Sequence, residues 1–460
     1  MKPILLQFDH NSSDALYIQL YKYLKKEITC GNIIAGEKLP SLRKLSKDLG
    51  ISVTTTELAY SQLLVEGYVT SKPQSGYYAS EIADNPSEEM SLSQGAVEFE
   101  DFTFDASQYK YDLACFDFVK WKKCTSKVIN EFPHLLLFES DPQGEAALRY
   151  EISKYVYTSR GVVCRPEQVV ISAGTQQLTS HLCRVLKKMN IHHVATEDPG
   201  YLPVQNIFRD HGFNITKVGV GDDGIMIDKL PTNISSAVYV SPSNQFPTGS
   251  VMPVGRRYQL LQWAKDNHSI ILEDDYDSEL RYFGKPVPAL QGLDKNSRVV
   301  YLGSFSSTLF PAIKISYMVL PQEMADIFAT IKRDYTQTCS KMEQLTLALF
   351  MEDGLYYTNI KKLRNLYAQK LQVALSAFAQ YGHNFVLPTN TNSGINIILK
   401  VRTKKDPAVL CSMAKDIGLQ VLPAASLTNQ DTAALIFYYN QIPLMEMDAS
   451  IKALIEAWSK

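Results

Sequence analysis

Four short apolar runs constrain the fold of this chain more than any other feature: Val169-Val170-Ile171-Ser172, Ala237-Val238-Tyr239-Val240, Ile270-Ile271-Leu272 and Val299-Val300-Tyr301-Leu302. Successive side chains of a strand point to opposite faces, so an unbroken apolar run marks a strand covered on both sides. Helical sequence separates most of these runs. Strands alternating with helices specify a mostly parallel sheet flanked by helices, and in such a sheet ligands collect beyond the carboxyl ends of the strands.

That pattern starts only near residue 106; the first eighty residues follow another rule. Leu16, Leu20, Leu24 and Ile28 recur every four residues along one helix, which Gly31 stops. Ser41 sits where an N-cap belongs, and Leu42, Leu45 and Leu49 line one side of a second helix that ends at Gly50. Thr54, with Glu57 three residues on, predicts a capping box that opens a third helix through Leu58, Leu63 and Leu64. Two β-rich pieces, Gly67 to Thr70 and Gly76 to Ala79, flank the turn residues Ser71 to Ser75 and predict a hairpin.

Helix, glycine-bearing turn, helix and hairpin make a winged helix-turn-helix. In such a module the start of the third helix enters the major groove, so Ser52, Thr54 and Thr55 would meet bases or phosphates, with Arg43 on the backbone or a base edge. A protein-interaction module whose hydroxyls serve only as caps satisfies the same periodicity. Residues 81–105 are acidic, Ser-rich and aperiodic, the composition of an extended linker. The expected partition is therefore 1–80, a linker over 81–105, and a large unit over 106–460.

Bulk properties exclude several classes. The net charge of −2 argues against a chain that coats nucleic acid along its whole length, yet residues 1–80 carry nine Lys/Arg against seven Asp/Glu. Seven scattered cysteines without C-x-x-C spacing suggest neither a disulfide framework nor a zinc site, which fits reduced thiols in a cytoplasm. The opening Met-Lys-Pro-Ile-Leu-Leu-Gln-Phe-Asp breaks its apolar run too early for a signal peptide, and no apolar run reaches the roughly 18 residues of a membrane span.

Chemistry is found after the strands. Ala173-Gly174-Thr175-Gln176 opens a helix, whose first N–H groups make an anion cradle. Ser304, Ser306, Ser307 and Thr308 follow the fourth run, with Lys314 a little further on, and could hold the same anion. Asp198-Pro199-Gly200-Tyr201 puts a ring on a loop, and Glu273-Asp274-Asp275-Tyr276 puts carboxylates and a phenol at a strand end. Each alone is an ordinary turn or solvated end; their order along one chain is the signal.

The head closely resembles the GntR-type winged helix through Tyr17-Ile18-Gln19-Leu20, Ile28 to Gly36, Leu39-Pro40-Ser41-Leu42-Arg43-Lys44-Leu45, Ala59-Tyr60 and Leu64-Val65-Glu66-Gly67-Tyr68. This resemblance implies double-stranded DNA as partner, with contacts from Ser41, Arg43, Lys44, Ser52, Thr54, Thr55, Lys72 and Gly76. Val53 departs from the arginine that many members carry after the serine of the turn.

The body resembles the MocR subfamily, in which a GntR head is joined to a fold-type I pyridoxal-phosphate scaffold. The motifs are Asp141-Pro142-Gln143-Gly144, Ser159-Arg160-Gly161, Ala173 to Gln177, Glu197-Asp198-Pro199-Gly200-Tyr201, Pro242 to Gly249, Met252-Pro253 with Arg256-Arg257, Glu273 to Glu279, and Gly303-Ser304-Phe305-Ser306. The implied fold class is α/β: a winged helix-turn-helix plus a large aminotransferase-like domain with a small C-terminal α/β subdomain. By the same resemblance Tyr201 would stack on the cofactor ring, Asp274 would pair with its nitrogen and Tyr276 with its oxygen. Gly174, Thr175, Gln176, Ser304 and Ser306 would cradle its phosphate.

Four positions depart from the family. Ser307 stands where the Schiff-base lysine belongs, and a hydroxyl cannot form an imine. Lys314 stands for the phosphate-clamping arginine and keeps the charge without the bidentate fork. Asn244 replaces a usual histidine, and the register of the C-terminal motif puts Gln441 where amino-acid-sensing relatives carry an arginine for the ligand carboxylate. The expected protein is a cytoplasmic, homodimeric, DNA-binding regulator whose body senses a small molecule, pyridoxal phosphate or its amine adduct bound without a covalent bond, and does not turn over. A body whose cofactor site has decayed into a dimerisation platform, or that senses another ligand, is the alternative; a working aminotransferase is disfavoured by the two lost residues.

Overall fold

The computed structural model describes residues 6–9, 12, 14–81, 110, 112–282, 287–391, 394–424, 427–428 and 430–460. The chain divides into two compact units, residues 1–103 and 104–460. Nearly all of the linker expected over 81–105 lies outside the described residues.

In the first unit three helices, α1 (Leu16–Thr29), α2 (Leu42–Leu49) and α3 (Val53–Val65), precede a hairpin of β1 (Val69–Lys72) and β2 (Gly76–Ala79). Leu20, Leu24 and Ile28 of α1 meet Leu45 of α2 and Ala59, Tyr60 and Leu63 of α3 in one buried cluster closed by Val69 and Ala79. Burying each large aliphatic side chain contributes about 1.5–3 kcal/mol, which is what holds three short helices together. Ser41 caps α2 by accepting from Lys44 N–H, and Gly50 ends it at φ 67°. The Glu66-Gly67-Tyr68 corner also has a physical reason. Glu66 accepts from the Tyr21 hydroxyl at 2.6 Å and from Lys25 Nζ at 2.8 Å, and Lys25 lies 4.7 Å from the Tyr68 ring centre.

Two local expectations are corrected. The cap of α3 is Ser52, not Thr54: Ser52 is extended (φ −69°, ψ 150°) and its oxygen accepts from Thr55 N–H at 3.0 Å, so Thr54 already lies in the first turn. The buried face moves accordingly to Thr56, Ala59, Tyr60 and Leu63, and Leu58 is 49% exposed. The hairpin turn is also tighter than expected. β1 runs on to Lys72, leaving Pro73-Gln74-Ser75, because Gln74 (φ 57°) and Gly76 (φ 108°) reverse the chain in the left-handed region.

The second unit is built on an 8-stranded sheet. Its strands are β3 (Val169–Ala173), β4 (His193–Asp198), β5 (Asn214–Gly221), β6 (Gly224–Ile225), β7 (Ala237–Val240), β8 (Ile270–Asp275), β9 (Val299–Ser304) and β10 (Ile315–Val319). The order is β3-β10-β9-β8-β7-β4-β5-β6. β4, β5, β7, β8 and β9 pair in parallel, whereas β10 is antiparallel to both β3 and β9. All four apolar runs are strands of this sheet, and β7 and β10 are buried at every position. A smaller antiparallel sheet, in the order β11-β12-β14-β13, uses β11 (Val386–Thr389), β12 (Ile397–Arg402), β13 (Val421–Pro423) and β14 (Thr432–Phe437). The helices Leu355–Ala377 and Met447–Ser459 share its core. Among the described residues no helix is long and apolar enough to cross a membrane, and all seven cysteines are free thiols.

The cap assignment separates two neighbouring hydroxyls experimentally. Ser52→Ala is expected to destabilise α3 by about 1 kcal/mol, and Thr54→Ala by less than about 0.5 kcal/mol. Hydrogen exchange of the α3 amides in the full-length chain reads both.

Candidate ligand site and DNA-facing surface

The carboxyl ends of β3, β8 and β9 and the amino end of β10 meet at one edge of the large sheet. Register explains why. Ile315 pairs with Ala173 and Ser316 with Ser304, so the residue before β10, Lys314, is carried beside Gly174 at the exit of β3. A cleft of about 430 Å³ opens there, lined by Gly174, Thr175, Gln176, Tyr201, Asp274, Tyr276, Ser304, Ser306, Ser307 and Lys314 among others.

One end of the cleft is built for an anion. The helix Thr175–Lys188 starts at Gly174, whose φ of 86° and ψ of 166° turn the chain sharply, and no side chain caps its first N–H groups. Ser316 Oγ donates to Ser304 Oγ at 3.1 Å, and Ser304 Oγ in turn accepts from Ser306 N–H at 3.3 Å, which fixes the hydroxyl loop opposite. Lys314 adopts φ 49°, a left-handed conformation that costs a residue with a Cβ about 1–3 kcal/mol and tends to be kept at functional sites.

The floor is a buried carboxylate pair at the end of β8. Asp275 is neutralised: Arg160 Nε donates to it at 2.7 Å and the Tyr301 hydroxyl at 2.7 Å. Asp274 faces the cleft, accepts from the Tyr239 hydroxyl, and among the described residues has no Lys or Arg within salt-bridge distance. Burial pushes its carboxyl up to about 7, with the Tyr239 hydrogen bond pulling the other way. Behind it, Glu197 accepts from Ser241 N–H at 3.3 Å and from Gln245 Nε2 at 3.2 Å, and burial pushes it up to about 8. A buried carboxylate with one neutral partner suits a protonated nitrogen arriving from the cleft.

The structure thus brings together ten of the residues singled out in the sequence and leaves three apart. Thr308 is fully buried away from the cleft, its Oγ1 paired with the Tyr356 hydroxyl at 2.9 Å. Asn244 is not in the cleft lining; its Nδ2 donates to Asp277 at 2.9 Å, and its carbonyl accepts from the Tyr276 hydroxyl at 3.1 Å, so it holds Tyr276 from behind. Gln441 lies in the turn Tyr439–Gln441 and does not line the cleft; Tyr438 does, with Ile395 and Asn396. Those three, with Phe246, Ser241 and Ser316, were missed. Tyr239 was missed too, although a tyrosine inside an apolar strand needs a partner for its hydroxyl. The pairing of Tyr239 with Leu272 places Asp274 two residues further along the same face.

In the first unit Ser41, Arg43, Lys44, Ser52, Thr54 and Lys72 are exposed, and Thr55 and Gly76 are half-buried. Arg43 and Lys44 open α2, and Thr54 opens α3. Lys72 Nζ lies 4.6 Å from the Tyr78 ring centre on the hairpin. The oxygens of Ser41 and Ser52 are already used as caps, which leaves Arg43, Lys44, Thr54 and Lys72 as the groups best able to meet a partner.

The fold and the site define a class. The second unit has the fold of the aminotransferases, superposing on the α-aminoadipate aminotransferase LysN of Thermus thermophilus at TM-score 0.66 and 22% identity, over 76% of this chain and 90% of that one. The aminotransferase class I and II family model matches residues 101–432, and that of the bacterial regulatory proteins of the gntR family matches residues 16–78. Over 96% of both chains this protein is 40% identical to the uncharacterized HTH-type transcriptional regulator YdeL of Bacillus subtilis. It is also 30% identical, over 91% of this chain and 88% of the other, to the probable rhizopine catabolism regulatory protein MocR of Rhizobium meliloti. The chain therefore belongs to the MocR/GntR family of HTH-type transcriptional regulators with an aminotransferase-like domain.

The buried acids set a pH dependence. Asp274 and Glu197 titrate higher folded (about 7 and about 8) than at their ordinary values of 3.8 and 4.5. A raised folded value contributes stability that is complete below the ordinary value and is lost as pH rises through the folded one. The melting temperature of the ligand-free body is expected to fall by on the order of 5 °C between about pH 5.5 and 8.5. Glu197→Gln flattens that slope; a melting temperature that rises over this interval contradicts the assignment.

Proposed function

We propose that this regulator senses pyridoxal 5′-phosphate, or its adduct with an amine, held without a covalent bond, and performs no transamination. The observation that carries the reading is one cleft that gathers the anion cradle, Tyr201, Tyr276 and Asp274: Ser307, in the turn after β9, lines the same cleft as the hydroxyl loop and Asp274. The residues fit the group. Gly174, Thr175, Gln176, Ser304, Ser306 and Lys314 would hold the phosphate, Asp274 the ring nitrogen, and Tyr201 and Tyr276 the ring and its oxygen. When bound, the group would offer a carbonyl and an electron-withdrawing ring. Asp274 would keep the ring nitrogen protonated, while Ser307 can only donate or accept a hydrogen bond.

Occupancy would then bias the geometry of two DNA-binding heads in a homodimer, the effector acting by its differential affinity for two arrangements. Exposed apolar side chains support a second copy as partner: Phe118 (50%), Val119 (80%), Leu137 (84%) and Phe138 (69%) lie on one helix and the turn after it. Duplex DNA would be met by the starts of α2 and α3 and by the hairpin.

Two experiments test the reading. After borohydride treatment with pyridoxal phosphate and peptide mapping to set aside exposed lysines, the peptides carrying residues 307 and 314 are expected to stay unmodified in the native protein, and Ser307→Lys to gain one pyridoxyl phosphate at that position. Capture at Lys314 of the native chain, or keto-acid formation from any amino acid, sinks the proposal. On the head, Arg43→Ala is expected to weaken binding to the promoter of its own gene and to reduce the slope of log affinity against log salt by about 1.

A further inference from the structure

We infer that the cleft reads the phosphate and the ring nitrogen of its ligand and is indifferent to the functional group on the ligand's 4′ carbon, so that the aldehyde, amine and alcohol forms of a 5′-phosphorylated pyridine bind alike. This rests on the reading above that the ligand is of the pyridoxal phosphate class. It goes beyond that reading in naming what the site measures.

The argument turns on where the amine and the hydroxyls stand. Lys314 is the one Lys or Arg in the described lining of the cleft. Pairing of Ile315 with Ala173 and of Ser316 with Ser304 fixes Lys314 across from Gly174 and the uncapped start of the helix Thr175–Lys188. The sheet register therefore commits that amine to the anion cradle, where its charge is compensated by phosphate, and removes it from the aldehyde. Asp274 is committed in the same way. Its carboxylate lies on the cleft floor with Tyr239 as neutral partner and selects a protonated ring nitrogen, a feature shared by all three forms.

What remains to address the 4′ substituent is the Ser307 hydroxyl. It is both donor and acceptor. It can donate to a carbonyl oxygen, accept from an ammonium, or do either with an alcohol, and the stronger bond from an ammonium is offset by the water that the charge gives up on entering the cleft. An imine-forming lysine would favour the aldehyde by a covalent bond and repel the ammonium. Beyond Ser307 the wall is Tyr201, Phe246, Ile395, Asn396 and Tyr438, which carries no formal charge to favour one form.

The test is a titration of the full-length protein, by calorimetry or intrinsic fluorescence, with pyridoxal 5′-phosphate, pyridoxamine 5′-phosphate, pyridoxine 5′-phosphate and unphosphorylated pyridoxamine. The three phosphates are expected to bind within about threefold of one another, pyridoxamine at least about 100-fold more weakly. Lys314→Ala should weaken all three phosphates by a common factor, and Ser307→Lys should restore a preference for the aldehyde. A native preference of more than about tenfold for the aldehyde overturns the inference while leaving the cofactor reading standing. Failure of all three phosphates to bind overturns both.

Discussion

β10 runs against both of its neighbours, and the ligand site depends on that reversal. A sheet of parallel strands delivers only carboxyl ends to one edge; an antiparallel strand inserted between β3 and β9 delivers an amino end there as well. Ile315, Tyr317 and Val319 of β10 pack in one core and Met318 in another, so a slip by one residue would exchange side chains of different shape between two filled cores, and its register is tightly set. The placement of Lys314 and Ser316 follows from core packing and not from the loops around them. A site fixed in this way keeps its anion cradle whatever residue the adjoining turn carries at Ser307.

The acids at the end of β8 show the same dependence of chemistry on packing. Neighbouring residues of a strand point to opposite faces, and Asp274 and Asp275 meet opposite fates on that account. Asp275 enters the body and is matched by Arg160 and Tyr301. Asp274 enters the cleft and is matched by a phenol alone. Removing a carboxylate from water without a cation is costly, and the cost appears as a raised pKa. An acid left without a cation at the floor of an open cleft is poised to pair with a protonated nitrogen, and Tyr201 lines the same cleft.

Much of this was legible in the sequence, and the exceptions have definite causes. Apolar runs located β3, β7, β8 and β9, since a strand buried on both faces leaves no room for polar residues. Ser41 and Gly50 marked α2 because caps obey local rules. The same rules put the start of α3 at Thr54 with Glu57, two residues too late. Only the extended backbone at Ser52 shows the cap. Tyr438 and Asn396 line the cleft from the smaller sheet, far from β9 in sequence; pairing between β12 and β14 brings them near, and no local pattern records that. Gln441 was assigned by likeness of motif, and the turn after β14 carries it elsewhere.

A lysine that forms an imine serves turnover: it holds the cofactor between cycles and is displaced by each substrate. A regulator needs instead an occupancy that follows concentration, and a covalent tether works against this by keeping the site filled when the free ligand falls. On the proposed function, a hydroxyl at Ser307 would leave affinity to the phosphate cradle and the buried acid, interactions that form and release on dilution. Coupling between sites commonly amounts to about 1–3 kcal/mol, so a reversible ligand that favours one arrangement by that margin would suffice to change affinity for DNA severalfold to about a hundredfold. The scaffold of an aminotransferase suits this use because its cleft lies where strands end and two sheets approach, so a small ligand touches elements that are far apart in the chain.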